Sequence, residues 1–376
     1  SDVYKRQILI FTDLDGSLLH RDTFKFDTIN KIFKDKRFGR ELPVGAEKPN
    51  KNKLNDFYRI ESNSMLELEG KRHSRLRGLV LRAFTTKNIQ KISKDIDILC
   101  TNLLDQMTES ETDLIECYAK KVPVITIARL LGIPEEMSDQ LLKWSNSMVA
   151  VYQADISKTT KSKANQSSRE FFEYIENYVA ERRNKPADDL ITHLINAEQD
   201  NEKLNFEELV STCILLLNAG HEATVHTIGN GIKALLTNNI DCRFLKEKEW
   251  HIIVEEILRY DPPLHIFTRF AYENLTVDDV HIARGEKISL VIGASGHDKS
   301  RWDKPSEFTP NRRPLTHNSF GAGVHFCLGA PLARLEINLA LKNLFEKKRH
   351  IKILQKPEYA DIYHFHGLKS LNVEMR

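Results

Sequence analysis

The chain lacks the marks of a membrane protein, a nucleic-acid binder or a disulfide scaffold. Its longest apolar run, Val122 to Ile133, is broken by Thr126 and Arg129. That falls well short of the roughly 20 residues that span a bilayer. Lys plus Arg (55) nearly balance Asp plus Glu (53), and a net charge of +2 gives no reason to expect nucleic acid as a partner. Five scattered cysteines, Cys100, Cys117, Cys213, Cys242 and Cys327, form no CxxC pair and no disulfide framework, which points to a reducing cytoplasm. The first residues lack the charged, apolar and small-residue order of a signal peptide. No internal repeat, low-complexity tract or Ser/Gly-rich linker divides the 376 residues, enough for one large core or two ordinary domains.

What is present is helical spacing. From about Thr28 apolar residues recur at steps of three and four, and Asn88–Met107 and Ser168–Arg183 read as amphipathic helices. Thr276 to Val291 alternates polar and apolar residues around Arg284-Gly285, and the last twenty residues read the same way, as small β regions. The decisive stretch is Phe320-Gly321-Ala322-Gly323-Val324-His325-Phe326-Cys327-Leu328-Gly329. It sets one cysteine in a glycine-rich turn before a helix marked by Leu328, Leu332, Leu335 and Leu339. Glycines let backbone N–H groups approach the sulfur, and the helix start is expected to lower the thiol pKa and favour a thiolate ligand.

Phe-Gly-x-Gly-x-His-x-Cys-x-Gly resembles the haem-ligand signature of the cytochromes P-450. The resemblance implies a mainly α fold with small β sheets, one large domain over residues 27–376, and haem b (iron protoporphyrin IX) held by the Cys327 thiolate. Phe320, Gly321 and Gly329 frame that ligand. A thiolate ligand pushes electron density onto the iron and favours O–O cleavage.

Other segments follow the family's order. Phe206 to Asn230 begins at an expected N-cap, Asn205, with Glu208 as its capping-box partner. The run Ala219-Gly220-His221-Glu222-Ala223-Thr224 resembles the family's oxygen-binding motif, in which Glu222 is the acid that relays protons. Gly220 costs about 1 kcal/mol relative to Ala mid-helix. A backbone groove for oxygen is the expected benefit. The usual Thr is here Ala223, and Thr224 lies about 100° further around the helix. Glu256 and Arg259 share a helix face, and with Arg312 match the pair and later arginine that brace the haem-binding core. His73, Arg77, Arg269 and His325 match propionate-binding positions. Lys71, Arg72 and Arg75 are expected on a basic surface that docks a ferredoxin. The substrate pocket is expected to include Leu216, Ala219, Leu264, Ile266, Phe267 and Phe365. His364 and His366 bring no further ligands with them in the sequence, so they are assigned to pocket or surface.

The resemblance thus implies a monooxygenase that inserts one atom of O₂ into a small or medium lipophilic substrate, by hydroxylation or epoxidation. Electrons come from a ferredoxin and ferredoxin reductase. Ala223 leaves open a peroxide-driven peroxygenase. One segment stands apart. Ile8–Phe11 followed by Asp13-Leu14-Asp15-Gly16-Ser17 resembles the opening of a haloacid-dehalogenase-type phosphatase. Residues 1–26 are either a fused or mis-assembled fragment standing for the family's own start, or an ordinary strand of the same protein.

Overall fold

A computed structural model describes residues 25–45, 53–83, 86–152, 156–199, 202–243, 245–313, 315–362 and 365–375. The phosphatase-like segment, with Asp13 and Asp15, lies outside these residues. The first third holds α1 (Phe26–Lys34), β1 (Phe38–Gly39), α2 (Asn55–Glu61), α3 (Gly70–Ala83), α4 (Thr86–Asp105), β2 (Glu111–Asp113) and α5 (Lys121–Leu131). Then come α6 (Ser138–Val149), α7 (Lys158–Asn184), α8 (Leu190–Asn196), the short hairpin β3 (Glu198–Gln199) and β4 (Glu202–Lys203), and the 32-residue α9 (Phe206–Thr237). The last third contains α10 (Glu247–Tyr260), β5 (Ile266–Ala271), β6 (Leu275–Val277), β7 (Val280–Ile282), β8 (Lys287–Val291), α11 (Ile292–Ser295), α12 (Ala330–Lys347), β9 (Ile351–Ile353) and β10 (Asn372–Met375).

Local chemistry sets the helix ends. Asn205 Oδ1 accepts from the Glu208 N–H at 2.9 Å while Glu208 Oε2 accepts from the Asn205 N–H at 3.1 Å, the expected capping box. Asp261-Pro262-Pro263 ends α10, since proline cannot extend a helix. Helix α7 starts ten residues earlier than the apolar spacing suggests. Ser157 caps it by accepting from the Thr160 N–H at 3.0 Å, and its first turns, Lys-Thr-Thr-Lys-Ser-Lys, carry no apolar stripe to reveal them. The β region near Arg284 resolves into β6, β7 and β8, whereas among the described residues of the last twenty only Asn372–Met375 forms a strand.

Two hydrophobic cores result. The larger unites the helices, and the smaller packs α1 against β5 and β8 through Ile29, Phe33, Ile288 and Leu290. Strands β1, β5 and β8 form an antiparallel sheet, and β2, β10 and β9 another. The Phe320–Gly329 loop lies on the seam: Phe320 and Leu328 pack on the helical core, Ala322 on the sheet core.

Buried charge fixes this seam. Glu256 accepts from Arg259 Nε at 2.7 Å and Nη2 at 2.8 Å, from Arg312 Nε at 3.1 Å and from the Thr309 N–H at 2.7 Å. Arg259 also donates to the carbonyls of Gly296 (2.6 Å) and Pro305 (2.8 Å), and Arg312 to that of Glu307 (2.8 Å). Breaking a buried ion network from one side costs about 3–5 kcal/mol, because the remaining charge is left uncompensated. Arg312→Ala is therefore expected to lower the thermal unfolding midpoint sharply in far-UV circular dichroism, and an unchanged midpoint would contradict this role.

Candidate functional site

The cysteine loop is closed by backbone bonds from Cys327 N–H to Phe320 O at 3.0 Å and from Phe326 N–H to Gly323 O at 3.1 Å. Gly321 and Gly323 have φ of +68° and +69°, a region open to glycine, and a Cβ on Gly323 would sit 2.2 Å from the Phe33 carbonyl oxygen. Gly329 has φ of −78° and needs no such freedom. Ser319 Oγ donates to Leu258 O at 2.6 Å, and Asn318 bonds Phe26 O and Asn30, so α10 and α1 both hold the loop.

The thiol itself departs from expectation. Burial pushes the Cys327 pKa up, and the N–H groups of Gly329 and Ala330 with Arg77 and Arg334 oppose that shift without overcoming it. The helix start does point at the sulfur, but a buried anion costs more than these dipoles return. A metal cation bonded to the sulfur would supply the missing positive charge.

Cations gather beside the loop. Arg77 Nη2 donates to Phe326 O at 2.7 Å. The His73 and His325 rings lie 4.3 Å apart, and burial followed by His325 pushes His73 down to about 4. His325 Nε2 is 2.8 Å from Glu69 Oε1. Burial works against the Glu69 carboxylate, yet His325 and the Arg40 N–H hold its pKa below the usual range. Arg269 is 5% exposed, donates to Thr268 O at 2.8 Å, stands 5.0 Å from the Phe33 ring and has no acidic partner within ion-pair distance among the described residues. Burial drops it to about 10. Glu69, 256 residues from His325, gave no sequence signal.

Helix α9 runs through the helical core, yet Ala219 is exposed and Leu215, Glu222, Ala223 and His226 are half-buried, at helical steps of four, three, one and three. Such an opening in a core helix marks a cavity wall. Thr224 (4% exposed) and Leu216 (9%) are buried in packing, whereas Leu215 is half-buried. A Cβ on Gly220 would lie 3.1 Å from Ile127 Cγ1, so this glycine allows the close approach of α5. Burial raises Glu222 to about 7. Glu222, His221 and His226 line a cavity of about 470 Å³ with Asn146 of α6 and the Glu116–Lys120 ion pair before α5. His221 Nε2 and His226 Nδ1 are buried without hydrogen-bond partners among the described residues. Polar atoms left unpaired by protein are ordinarily satisfied by water, so this wall is wettable. His226, one turn after Glu222, was legible as an i,i+4 neighbour and was overlooked.

Leu264 and Phe365 pair across an antiparallel bridge, and the Phe365 ring is 5.5 Å from that of His226, which joins the C-terminal loop to α9. Ile266 pairs with Val291 at the end of the sheet. Phe267 instead meets Phe33 edge-on at 5.9 Å, beside Arg269. Tyr363 and His364 lie outside the described residues. The basic face is not free: Arg75 bonds Glu202 at 3.1 Å and pairs with Glu208, and Arg72 reaches Glu208 at 3.9 Å.

A half-buried thiol in a tight loop, basic side chains next to it and a core helix with one open face carrying an acid define a mainly helical protein with its candidate site on the seam between helices and sheet. The chain belongs to the cytochrome P450 family, whose sequence profile matches residues 42–240 and 251–362. It is 37% identical over 360 residues to the polyketide biosynthesis cytochrome P450 PksS of Bacillus subtilis (strain 168), covering 93% of this chain and 88% of that one. Identity to the mycinamicin IV hydroxylase/epoxidase of Micromonospora griseorubida is 30% over 336 residues, 88% of this chain and 82% of that one. Among solved structures, P450BioI in complex with hexadec-9Z-enoic acid ligated acyl carrier protein matches with a TM-score of 0.88 and 30% identity, over 94% of this chain and 91% of that chain. The protein is an oxidoreductase of the monooxygenase class, and the family's cofactor is haem on a cysteine thiolate. The phosphatase reading is not borne out. No helix among the described residues is long and apolar enough to cross a membrane.

The residues fit this cofactor. Among the described residues Arg269 and Arg77 are buried or half-buried cations without an acidic ion-pair partner, which suits the anionic edge of a porphyrin, and a cation would offset the cost of a Cys327 thiolate.

Titration of Glu222 gives a test. Burial favours its protonated form, so between about 4.5 and about 7 the folded chain holds more proton than the unfolded one. Its contribution to stability is complete below that window, declines by at most about 1.4 kcal/mol per pH unit within it, and is lost above it. Glu222→Gln, which cannot ionise, is expected to be no more stable than the parent at pH 4 and distinctly more stable at pH 8, as read by chemical denaturation at both.

Proposed function

We propose that this protein hydroxylates or epoxidises a small or medium lipophilic substrate, with electrons from a ferredoxin and its reductase. The observation that carries the reading is Cys327: a half-buried thiol, fixed by the loop bonds to Phe320 and Gly323, with N–H groups and two arginines near it. When bound, haem supplies the redox chemistry that activates dioxygen. Cys327 would bind the haem iron, and Phe320, Gly321 and Gly329 shape the loop around it. Arg269, Arg77, His73 and His325 would hold the propionates, with Glu69 keeping His325 oriented. Glu256, Arg259 and Arg312 are architectural.

Glu222 holds a proton at its carboxyl near neutral pH and passes it toward the open face of α9 at Ala219 and Ala223. The polar cavity behind it, with His221 Nε2 and His226 Nδ1, replenishes that proton through water. With Ala223 in place of an alcohol, the last transfer depends on solvent or a substrate hydroxyl, which also favours use of peroxide. Leu264, Ile266, Phe365, Leu215 and Ala219 wall the substrate side and exclude bulk water. The relatives named for polyketide biosynthesis and for an acyl carrier protein complex make a carrier-linked acyl chain the first substrate class to test. Arg72 and Arg75 spend their charge on Glu202 and Glu208, which leaves the ferredoxin surface to other proximal residues.

Cys327→Ala is expected to abolish the thiolate-type carbon monoxide spectrum and oxygenation together, and retention of both would sink the assignment. Ala223→Thr is expected to raise product formed per O₂ consumed several-fold with a ferredoxin system. Glu222→Ala should slow that route at least tenfold while leaving peroxide-driven turnover much less affected. Equal losses on both routes would remove the proton role from Glu222.

A further inference from the structure

Behind the Leu264–Phe365 bridge, three metal-ligating side chains from distant parts of the chain come together. Asp261 closes α10, His265 precedes β5 and His366 belongs to the C-terminal loop; one donor atom of each lies within 4.8 Å of the other two. We propose that Asp261, His265 and His366 form a binding site for a borderline divalent transition ion of the zinc, nickel or cobalt class, which fastens the C-terminal loop to the end of α10.

The donor set suits such ions: two imidazoles and a carboxylate are the ligands of three-residue zinc sites that keep a further position for water. All three ligands are half-buried or buried, yet their backbones are fixed. Asn230 Nδ2 donates to Asp261 O at 3.2 Å and to His366 O at 3.0 Å, binding two ligand residues to one side chain of α9. His366 N–H donates to Pro263 O at 2.7 Å, and Ile292 N–H to His265 O at 2.6 Å. The side chains are ordered too. Tyr359, His366 and His265 form a three-ring stack with centroid spacings of 3.8 and 3.9 Å. Asp261 Oδ2 accepts from Tyr359 Oη and lies 3.9 Å from Lys233 Nζ, which leaves Oδ1 toward His366 Nε2 at 3.2 Å. The Tyr359 hydroxyl and the Lys233 ammonium are the outer contacts that orient Asp261, while the stacked histidine rings have to tilt apart for both to face one ion.

Without an ion the cluster is only partly satisfied. The Asp261–His366 contact accounts for two of the three ligands, whereas neither ring nitrogen of His265 has a hydrogen-bond partner among the described residues. An imidazole placed by a stack and a backbone bond, with a lone pair and no donor, is what an incoming cation would use. Bonds of about 2.0–2.2 Å in a tetrahedral site set ligand atoms roughly 3.4 Å apart, so the donors close by an ångström or so. Gly293 faces His265, where a Cβ would stand 3.2 Å from ring carbon Cδ2. The sequence alone hid the site, because Asp261 and His265 are a hundred residues from His366.

The test uses the haem-loaded protein, freed of loose metal with a chelator and then given zinc chloride alone. Zinc retained after gel filtration is counted per chain, and the thermal midpoint is followed by far-UV circular dichroism. The expected result is one zinc per chain and a midpoint that climbs with zinc concentration. His265→Ala removes no hydrogen bond and should weaken zinc binding at least tenfold and erase the midpoint shift; His366→Ala should do the same. His281→Ala, on exposed β7, should change neither. Zinc that fails to bind, or that binds equally to the His265→Ala protein, overturns the site. Neither readout involves oxygenation, so this outcome is independent of the proposed reaction.

Discussion

Everything near Cys327 depends on a carboxylate that has no water around it. Glu256 is 2% and Arg259 1% exposed, and Arg312 reaches the same carboxylate from a loop 56 residues further on. Such a cluster adds little net stability over a well-packed apolar one, but it tolerates only one arrangement of the segments that supply it. The carbonyls of Gly296, Pro305 and Glu307 are drawn to these guanidiniums, and the chain leaving that knot has to enter the Asn318–Gly329 turn. Directional bonds between segments distant in sequence do here what hydrophobic contact alone would leave loose.

Much of this was legible before any coordinates. The cysteine signature, the capping box at Asn205 and Glu208, and the Glu256–Arg259–Arg312 brace rest on fixed spacing or on a motif, and each takes the expected form. What failed did so for physical reasons. The thiol was expected to be acidified by its helix, and burial reversed the sign. Gly220, read as a groove for oxygen, also lies against Ile127 of a neighbouring helix, a contact that spacing along the chain does not reveal. Leu216 was placed in the pocket because an unbroken apolar run, Ile214-Leu215-Leu216-Leu217, does not say which residue turns outward. Arg72 and Arg75 read as a solvated basic face because their acidic partners, Glu202 and Glu208, come from a hairpin and helix more than 120 residues away.

The central helix separates two environments. One flank is packed so closely that glycine is needed at 220, and the other carries an acid, two histidines and an alanine where hydrogen-bonding partners are few. The division makes a single helix a structural axis on one flank and a wall of ionisable groups on the other. Its cost is a set of poorly solvated polar groups in the middle of the molecule.

Arg269 carries a related consequence. A guanidinium sealed away beside Phe33, with no carboxylate in ion-pair distance among the described residues, is a charge that burial penalises. A dianion bound beside it would offset that penalty, so binding of such a ligand and stability of the polypeptide would draw on one shared equilibrium. Cells short of iron or of porphyrin would then accumulate a softer, more easily degraded chain rather than an idle but durable enzyme.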